Sequence, residues 1–290
     1  MIKLLALDLD GTTLNSQGEI TDQTRTAIRL AEEAGVLVTI ATGRRFRDAQ
    51  PVGIELGLNS PLITHNGALL KYAGTHETVA YSLLSVETSL EIVRAGKLAG
   101  GDALVSTDPR GDGTLLYDRV SEDNLPLQKY IRWSRALHGD HDRASVVHVQ
   151  QLEDVMHEHE TVHISFSGSC AAMTDLEGSL RNDFGDRVTI LATIYPRTDF
   201  TLLDILPPDA SKGHGVAKLA EINELSPNEV MAIGDNFNDL EMLEYAGTAV
   251  VMGNADPSLL VGREFYTTLS NDESGVAAAI NKFILNQENI

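Results

Sequence analysis

At both ends of its length the chain alternates short apolar runs with stretches of helical spacing, and that rhythm leaves few folds open. Ile2-Lys3-Leu4-Leu5-Ala6-Leu7 is the first run. Thr21 then stands as a helix cap before Ala27, Leu30, Ala31 and Ala34, which recur at helical spacing and stop at Gly35. A second run fills 36–41, Thr42-Gly43-Arg44 leads into a helix through Leu56, and a third run at 61–64 precedes the turn His65-Asn66-Gly67. Buried parallel strands read as continuous apolar runs, and strands alternating with helices join through right-handed crossovers. The expectation is an α/β fold with a Rossmann-like, doubly wound parallel sheet as its core.

Between 84 and 196 the rhythm changes. A helix at 86–98 precedes strands near 103–106 and 114–117 joined through Gly111-Asp112-Gly113. Further strands are expected at 145–149, 162–166 and 188–191, with helices at 127–137 and 171–183. The first rhythm then returns, with a strand at 200–206, a helix at 212–222, a strand at 230–233, a helix at 239–245 and a strand at 249–252. The simplest arrangement is a discontinuous α/β core, 1–83 and 197–290, carrying an inserted α+β cap domain at 84–196.

Composition excludes several classes. The 290 residues are 42% hydrophobic and 22% charged, a globular balance. No run approaches the roughly 18 apolar residues of a membrane span, and the N-terminus lacks a basic leader, so a cytoplasmic location and no membrane partner are expected. Cys170 is the one cysteine and reads as a small buried hydrophobe. Forty-two acids against 22 Lys and Arg give a formal charge of -20, which repels nucleic acid at long range. A small phosphorylated metabolite remains compatible, because a bound cation can reverse the field inside one pocket. No feature specifies an oligomeric state.

Asp8 and Asp10 stand where the first run ends in Asp8-Leu9-Asp10-Gly11-Thr12. Ligands of open α/β sheets bind beyond the carboxyl ends of the strands, and alternation would send both side chains to one side if the strand persisted. Asp235-Asn236-Phe237-Asn238-Asp239 follows the run 230–233 in the same manner. If the two strands are neighbours, Asp8, Asp10 and Asp235 converge on an oxygen-rich pocket suited to Mg²⁺. Two groups are able to hold a phosphate: Thr42-Gly43-Arg44, and Ser211-Lys212-Gly213 at the mouth of a helix. Asn238 is a neutral donor for the phosphate or the rest of the substrate.

These residues carry a resemblance. DLDGT with Asp8 and Asp10, ATGR with Thr42, SKG with Lys212 and GDNFND with Asp235 and Asp239 resemble the four ordered motifs of the haloacid dehalogenase-like hydrolases. The Cof-type phosphatase branch, with a large α+β cap between the second and third motifs, is the closest match. Asn66-Gly67, Met252-Gly253-Asn254-Ala255, Ser270-Asn271 and Gly275-Val276 extend the likeness along the chain.

The resemblance implies that Asp8 attacks phosphorus and becomes an aspartyl phosphate, while Asp10 protonates the leaving oxygen and later activates water. It also implies that Asp8, the Asp10 main-chain carbonyl and Asp235 hold Mg²⁺, with Asp239 in support, and that Leu9, Thr42, Gly43, Lys212 and Asn238 bind the phosphate or substrate. Related ATPases carry Thr two positions after the nucleophile, and Asp10 there favours hydrolysis. Sugar phosphates are the first substrate class, flavin or pyridoxal phosphates the second. A phosphomutase of the same fold and a non-catalytic phosphate-binding module stay open as alternatives. The cap is expected to close over the site, with Asn66 and cap residues near Gly111-Asp112-Gly113 as candidates to face it.

One motif points elsewhere. His159-Glu160-Thr161-Val162-His163 matches the zinc-protease pattern HExxH, which requires a helix. Val162, Ile164 and Phe166 alternate with His163 and Ser165, so a strand is expected, and residues four apart in a strand stand about 13 Å apart. His138, His141 and His157 read as polar surface. Arg44 and Arg45 read as either a solvated helix start or a contribution to the pocket.

Overall fold

The computed structural model describes residues 1–138 and 145–286, and His141 lies outside them. Two compact units are present: Met1–Ala80 with the chain from Ser211 onward, and Tyr81–Ala210.

The first unit is built on a five-stranded sheet in the order Tyr266–Thr267, Thr248–Val251, Val230–Gly234, Leu4–Leu7, Leu37–Ile40. Every pairing is parallel. Leu4–Leu7 and Val230–Gly234 are buried along their whole length, which is why their sequences lack polar alternation. The chain leaves Leu4–Leu7 toward one neighbour and later fills the other side. The strand order therefore reverses between Leu4–Leu7 and Val230–Gly234, and a crevice opens at such a point. Register completes the placement. Leu7 lies opposite both Ile233 and Ile40, so Asp8, Gly234-Asp235 and Ala41-Thr42 emerge side by side.

Helices cover this sheet for reasons legible in their residues. Thr21 caps Asp22–Glu33 by accepting from the Thr24 amide, and Ala27, Ile28 and Ala31 form the buried stripe. Lys212–Ile222 packs on Leu240–Tyr245, and the approach depends on Gly213. A Cβ there would stand 2.6 Å from the Glu241 backbone carbon. Val216, Leu219, Met242 and Leu243 join Leu4, Ala6, Val230 and Ala232 in one core cluster.

The third run differs from expectation. Leu62–Thr64 pairs antiparallel with Leu69–Lys71, in a three-stranded sheet completed by Thr78–Tyr81. Among the described residues it meets the large sheet through an isolated Ala41–Ile63 bridge. The turn at His65–Gly67 reverses the chain so soon that the strand finds its partner in its own hairpin.

The second unit holds a six-stranded sheet ordered Thr189–Tyr195, Phe200–Leu206, Thr161–Gly168, Asp102–Thr107, Thr114–Tyr117, Val146–His148. Val86–Leu98 and Cys170–Phe184 pack on one face, through Ile92, Val93, Met173, Leu176 and Leu180 against Val105, Ile164, Phe166 and Leu203. Leu125–His138 packs through Leu127 and Ile131 on Leu104 and Leu115. The strand at 200–206, expected to rejoin the parallel core, belongs to this sheet instead. It pairs antiparallel with Thr189–Tyr195 and with Thr161–Gly168. The short turn at Pro196–Thr198 explains this, because a parallel crossover needs roughly a dozen residues or more.

The HExxH segment is also settled. Thr161–Gly168 is a strand, His163 Nε2 sits 2.5 Å from Ser165 Oγ, and Glu160 accepts from Arg110. No helix presents His159 and His163 on one face.

Candidate active site

Leu4–Leu7 stops at Leu7, and Gly11, with φ +84°, turns the chain away. A side chain at Gly11 would also collide with the Asp235 carboxylate. Because the strand ends there, the expected same-side placement of Asp8 and Asp10 does not hold. Asp8 is 4% exposed and faces inward, whereas the Asp10 carboxylate is largely exposed and accepts two bonds from Arg44, Nε at 2.9 Å and Nη2 at 2.5 Å.

The inward group is compact. One carboxylate oxygen from each of Asp8, Asp235 and Asp239 lies within 4.8 Å of the others. Lys212, 2% exposed, donates from Nζ to Asp8 Oδ1 at 2.5 Å and to Asp239 Oδ1 at 2.6 Å. A cation in the first turn of a helix opposes the macrodipole, so these carboxylates offset both the dipole and the burial. Asp235 accepts from Thr12 Oγ1 at 3.0 Å. Asp239 Oδ2 accepts from the Asp235 and Asn236 amides, both at 3.0 Å. Asp239 therefore caps its own turn and holds Lys212 at once. Gly234 makes the fit possible, since a Cβ there would stand 2.6 Å from the Asp239 Cγ.

The electrostatics show what the cluster lacks. Burial, then repulsion from Asp239 and Asp235, push Asp8 well above the ordinary aspartate value, against the pull of Lys212. Burial and then Asp239 raise Asp235, with the Thr12 hydrogen bond opposing. Burial works against the Lys212 ammonium, but Asp239 and Asp8 outweigh it and hold it above the ordinary lysine value. Fully ionised, three carboxylates and one ammonium would carry two negative charges, which burial and mutual repulsion disfavour without a cation. An all-oxygen donor set with that deficit fits a hard divalent cation. The Asp10 carboxylate stands outside the set, on Arg44.

The neighbouring loops supply donors. Thr42, 1% exposed, accepts at Oγ1 from the Arg44 amide at 3.1 Å, which leaves its own O–H to donate elsewhere. Leu9 is fully buried, so its side chain belongs to the core. Gly43 lies under Asn66: a Cβ at 43 would stand 3.1 Å from both amide atoms. Asn238 Nδ2 donates to Asn66 Oδ1 at 3.4 Å.

Ser211 and Gly213, read as part of a phosphate grip, are structural instead. Ser211 Oγ caps the helix at His214 N and donates to Glu241, and Gly213 admits the neighbouring helix. Of that trio Lys212 reaches the cluster. Arg45 is buried against Asp48 at 2.8 Å, so of the two arginines Arg44 turns toward Asp10.

Two residues went unassigned in the sequence. Asn254 Nδ2 donates to the Gly11 carbonyl and Asn271 Nδ2 to the Leu14 carbonyl, both at 2.9 Å, and Asn254 Oδ1 accepts from Asn271 N. They clamp the loop that follows Asp8. Both lie in segments that carry the family resemblance, but the likeness assigned them no role.

Comparison with known proteins agrees with this geometry. The family model described as haloacid dehalogenase-like hydrolase matches residues 5–280. The 5-amino-6-(5-phospho-D-ribitylamino)uracil phosphatase YwtE of Bacillus subtilis is 30% identical, over 99% of this chain and 99% of its own. Phosphatase YwpJ of the same organism is 28% identical, over 95% and 98%. A crystal structure of a haloacid dehalogenase-like hydrolase from Bacteroides thetaiotaomicron superposes with a TM-score of 0.80 at 24% identity, covering 98% of this chain and 100% of that one. With three of its motifs at strand ends of one parallel sheet, the Lys212 motif at the start of a helix packed on it, and an α+β unit inserted between the second and third, the chain belongs to the haloacid dehalogenase-like hydrolase family, in the Cof-type branch.

Proposed function

We propose that the protein is a Mg²⁺-dependent phosphatase of small phosphorylated metabolites that works through an aspartyl phosphate on Asp8. The observation that carries the reading is the buried Lys212 ammonium held between Asp8 and Asp239 beside Asp235, at the point where the strand order reverses. A cation and a cluster of carboxylates so placed can receive a phosphoryl group between them.

In the first step an Asp8 carboxylate oxygen forms a bond to phosphorus as the ester P–O bond breaks. The leaving oxygen takes its proton from Asp10. In the second step water attacks phosphorus, Asp10 accepts the water proton, and the Asp8 carboxylate departs with the bonding electrons. Asp10 must leave Arg44 to do this work. Asp8, Asp235 and the Asp10 main-chain carbonyl would hold Mg²⁺, with Asp239 bracing the set. When bound, the ion neutralises charge on the phosphoryl oxygens. Lys212, the Thr42 hydroxyl, the Gly43 and Leu9 amides and Asn238 orient those oxygens. A sugar or polyol phosphate is the preferred substrate class, supported by the ribityl phosphate in the name of the YwtE relative.

The test is phosphate release from a metabolite-wide panel of esters by the Mg²⁺-loaded protein in H₂¹⁸O. Label in the released phosphate is expected; phosphate transfer to a second sugar without label would make the protein a mutase. Lys212→Ala is expected to weaken inhibition by inorganic phosphate by about a hundredfold. It also leaves buried carboxylates uncompensated, a loss of roughly 3–5 kcal/mol that a lower melting temperature would report.

A further inference from the structure

The turn His65-Asn66-Gly67 holds three consecutive residues with positive φ, 51°, 49° and 95°. For a side-chain-bearing residue that conformation costs about 1–2 kcal/mol, less for Asn, and strain of this kind gathers at working sites. The surroundings enforce it. His65 N donates to the Arg44 carbonyl at 2.9 Å and Asn66 N to the Thr42 carbonyl at 3.0 Å, while Phe46 N donates to His65 Nε2 at 3.3 Å. On its other side, Gly67 lies so close to the Ser211 carbonyl that no Cβ fits. The turn is wedged between the loop bearing Thr42 and Gly43 and the residue preceding Lys212.

What this wedge presents is the Asn66 carboxamide. Asn66 is 4% exposed, its amide lies over Gly43, and its Oδ1 accepts from Asn238 Nδ2. That bond commits the oxygen and leaves Nδ2 as the donor, for which the structure records no acceptor among the described residues. An N–H pair so placed borders both Gly43 and Asn238, two of the groups assigned above to the phosphate.

We infer that Asn66 is a substrate-binding residue: its Nδ2 donates to a phosphoryl oxygen of the ester, and its Oδ1 orients the Asn238 amide toward the same group. The inference rests on the phosphatase reading of Thr42, Gly43, Lys212 and Asn238. It adds a donor from outside the four motifs, carried by a turn whose strain fixes its direction.

Substitutions that keep the left-handed backbone separate recognition from folding. Gly adopts that conformation freely, and Asp tolerates it at nearly the size of Asn. Inorganic phosphate is titrated calorimetrically into the Mg²⁺-loaded protein, alongside KM, kcat and melting temperature for one substrate from the panel. Asn66→Gly is expected to weaken phosphate binding about tenfold with a matching rise in KM, as for one hydrogen bond to a charged group. Asn66→Asp, which replaces the donor by a carboxylate, is expected to weaken it by about a hundredfold, titrated below its own melting temperature, which burial of one more carboxylate lowers.

Wild-type phosphate affinity in Asn66→Asp would overturn the inference, because a purely structural turn former survives that change. If Asn66→Gly loses its fold, Asn66→Asp decides alone; if both fail to fold, Asn66 is a structural residue and the inference is wrong. Lys212→Ala run in parallel keeps the two readings apart. Loss of phosphate binding there with none in Asn66→Asp removes only this inference, whereas no effect in Lys212→Ala removes the phosphate site itself.

Discussion

Asp8→Asn is expected to lower turnover by roughly 10⁴-fold or more, the scale seen when a covalent nucleophile is deleted. The amide oxygen can still accept from Lys212 Nζ, now 2.5 Å from Asp8 Oδ1, and the side chain keeps its volume. Folding should survive. In the metal-free protein near neutral pH the variant should be at least as stable as the parent, because the charge it removes is one that burial and Asp239 disfavour. Single-turnover assays with a metabolite ester and a melting curve without metal would check both halves. Wild-type turnover in this variant would remove Asp8 from the mechanism.

Metal removal should be nearly as severe, and pH gives it a signature. Burial and neighbouring carboxylates raise Asp8 and Asp235, so the folded metal-free protein binds protons at these groups more tightly than the unfolded chain does. Their contribution to stability is therefore favourable at low pH. It is lost as pH rises from the ordinary aspartate value of 3.8 through the raised folded values. A divalent cation replaces the proton, so the gain in melting temperature on adding Mg²⁺ should be smallest at acid pH and grow as pH rises. At a hundred times its dissociation constant the ion contributes about 2.7 kcal/mol. Chelation should abolish turnover and Mg²⁺ should restore it. A Mg²⁺ effect on melting that shrinks with rising pH, or turnover unmoved by chelator, would count against the cluster as a cation site.

Much of the core was legible because its determinants are local. Thr21 and Ser211 announce helix starts through cap hydrogen bonds to residues three further on, and Leu4–Leu7 announces burial through unbroken apolarity. Partner choice is another matter. Phe200–Leu206 was recognisable as a strand, but its membership in the antiparallel sheet depends on the turn before it and on the flanking strands. The site divides similarly. Asp8, Asp235, Asp239 and Lys212 follow strand or helix ends, so spacing located them. Asp10 and Arg44 find each other across 34 residues, and Asn66 owes its direction to bonds from two other segments. Apolar pattern cannot encode a left-handed turn, nor reveal that Gly213 serves a helix contact rather than an anion.

The clamps from Asn254 and Asn271 give the enzyme a direction in time. Asp8 and the loop after it precede their clamps by a wide margin, for the carbonyls of Gly11 and Leu14 are held by side chains made more than 240 residues later. Leu4–Leu7 meanwhile has one sheet neighbour in Leu37–Ile40 and waits for Val230–Gly234 to provide the second. Closing so long a loop is slow, and an unpaired apolar strand is exposed until it happens. The loop after Asp8 therefore lacks its support until Asn254 and Asn271 have been made.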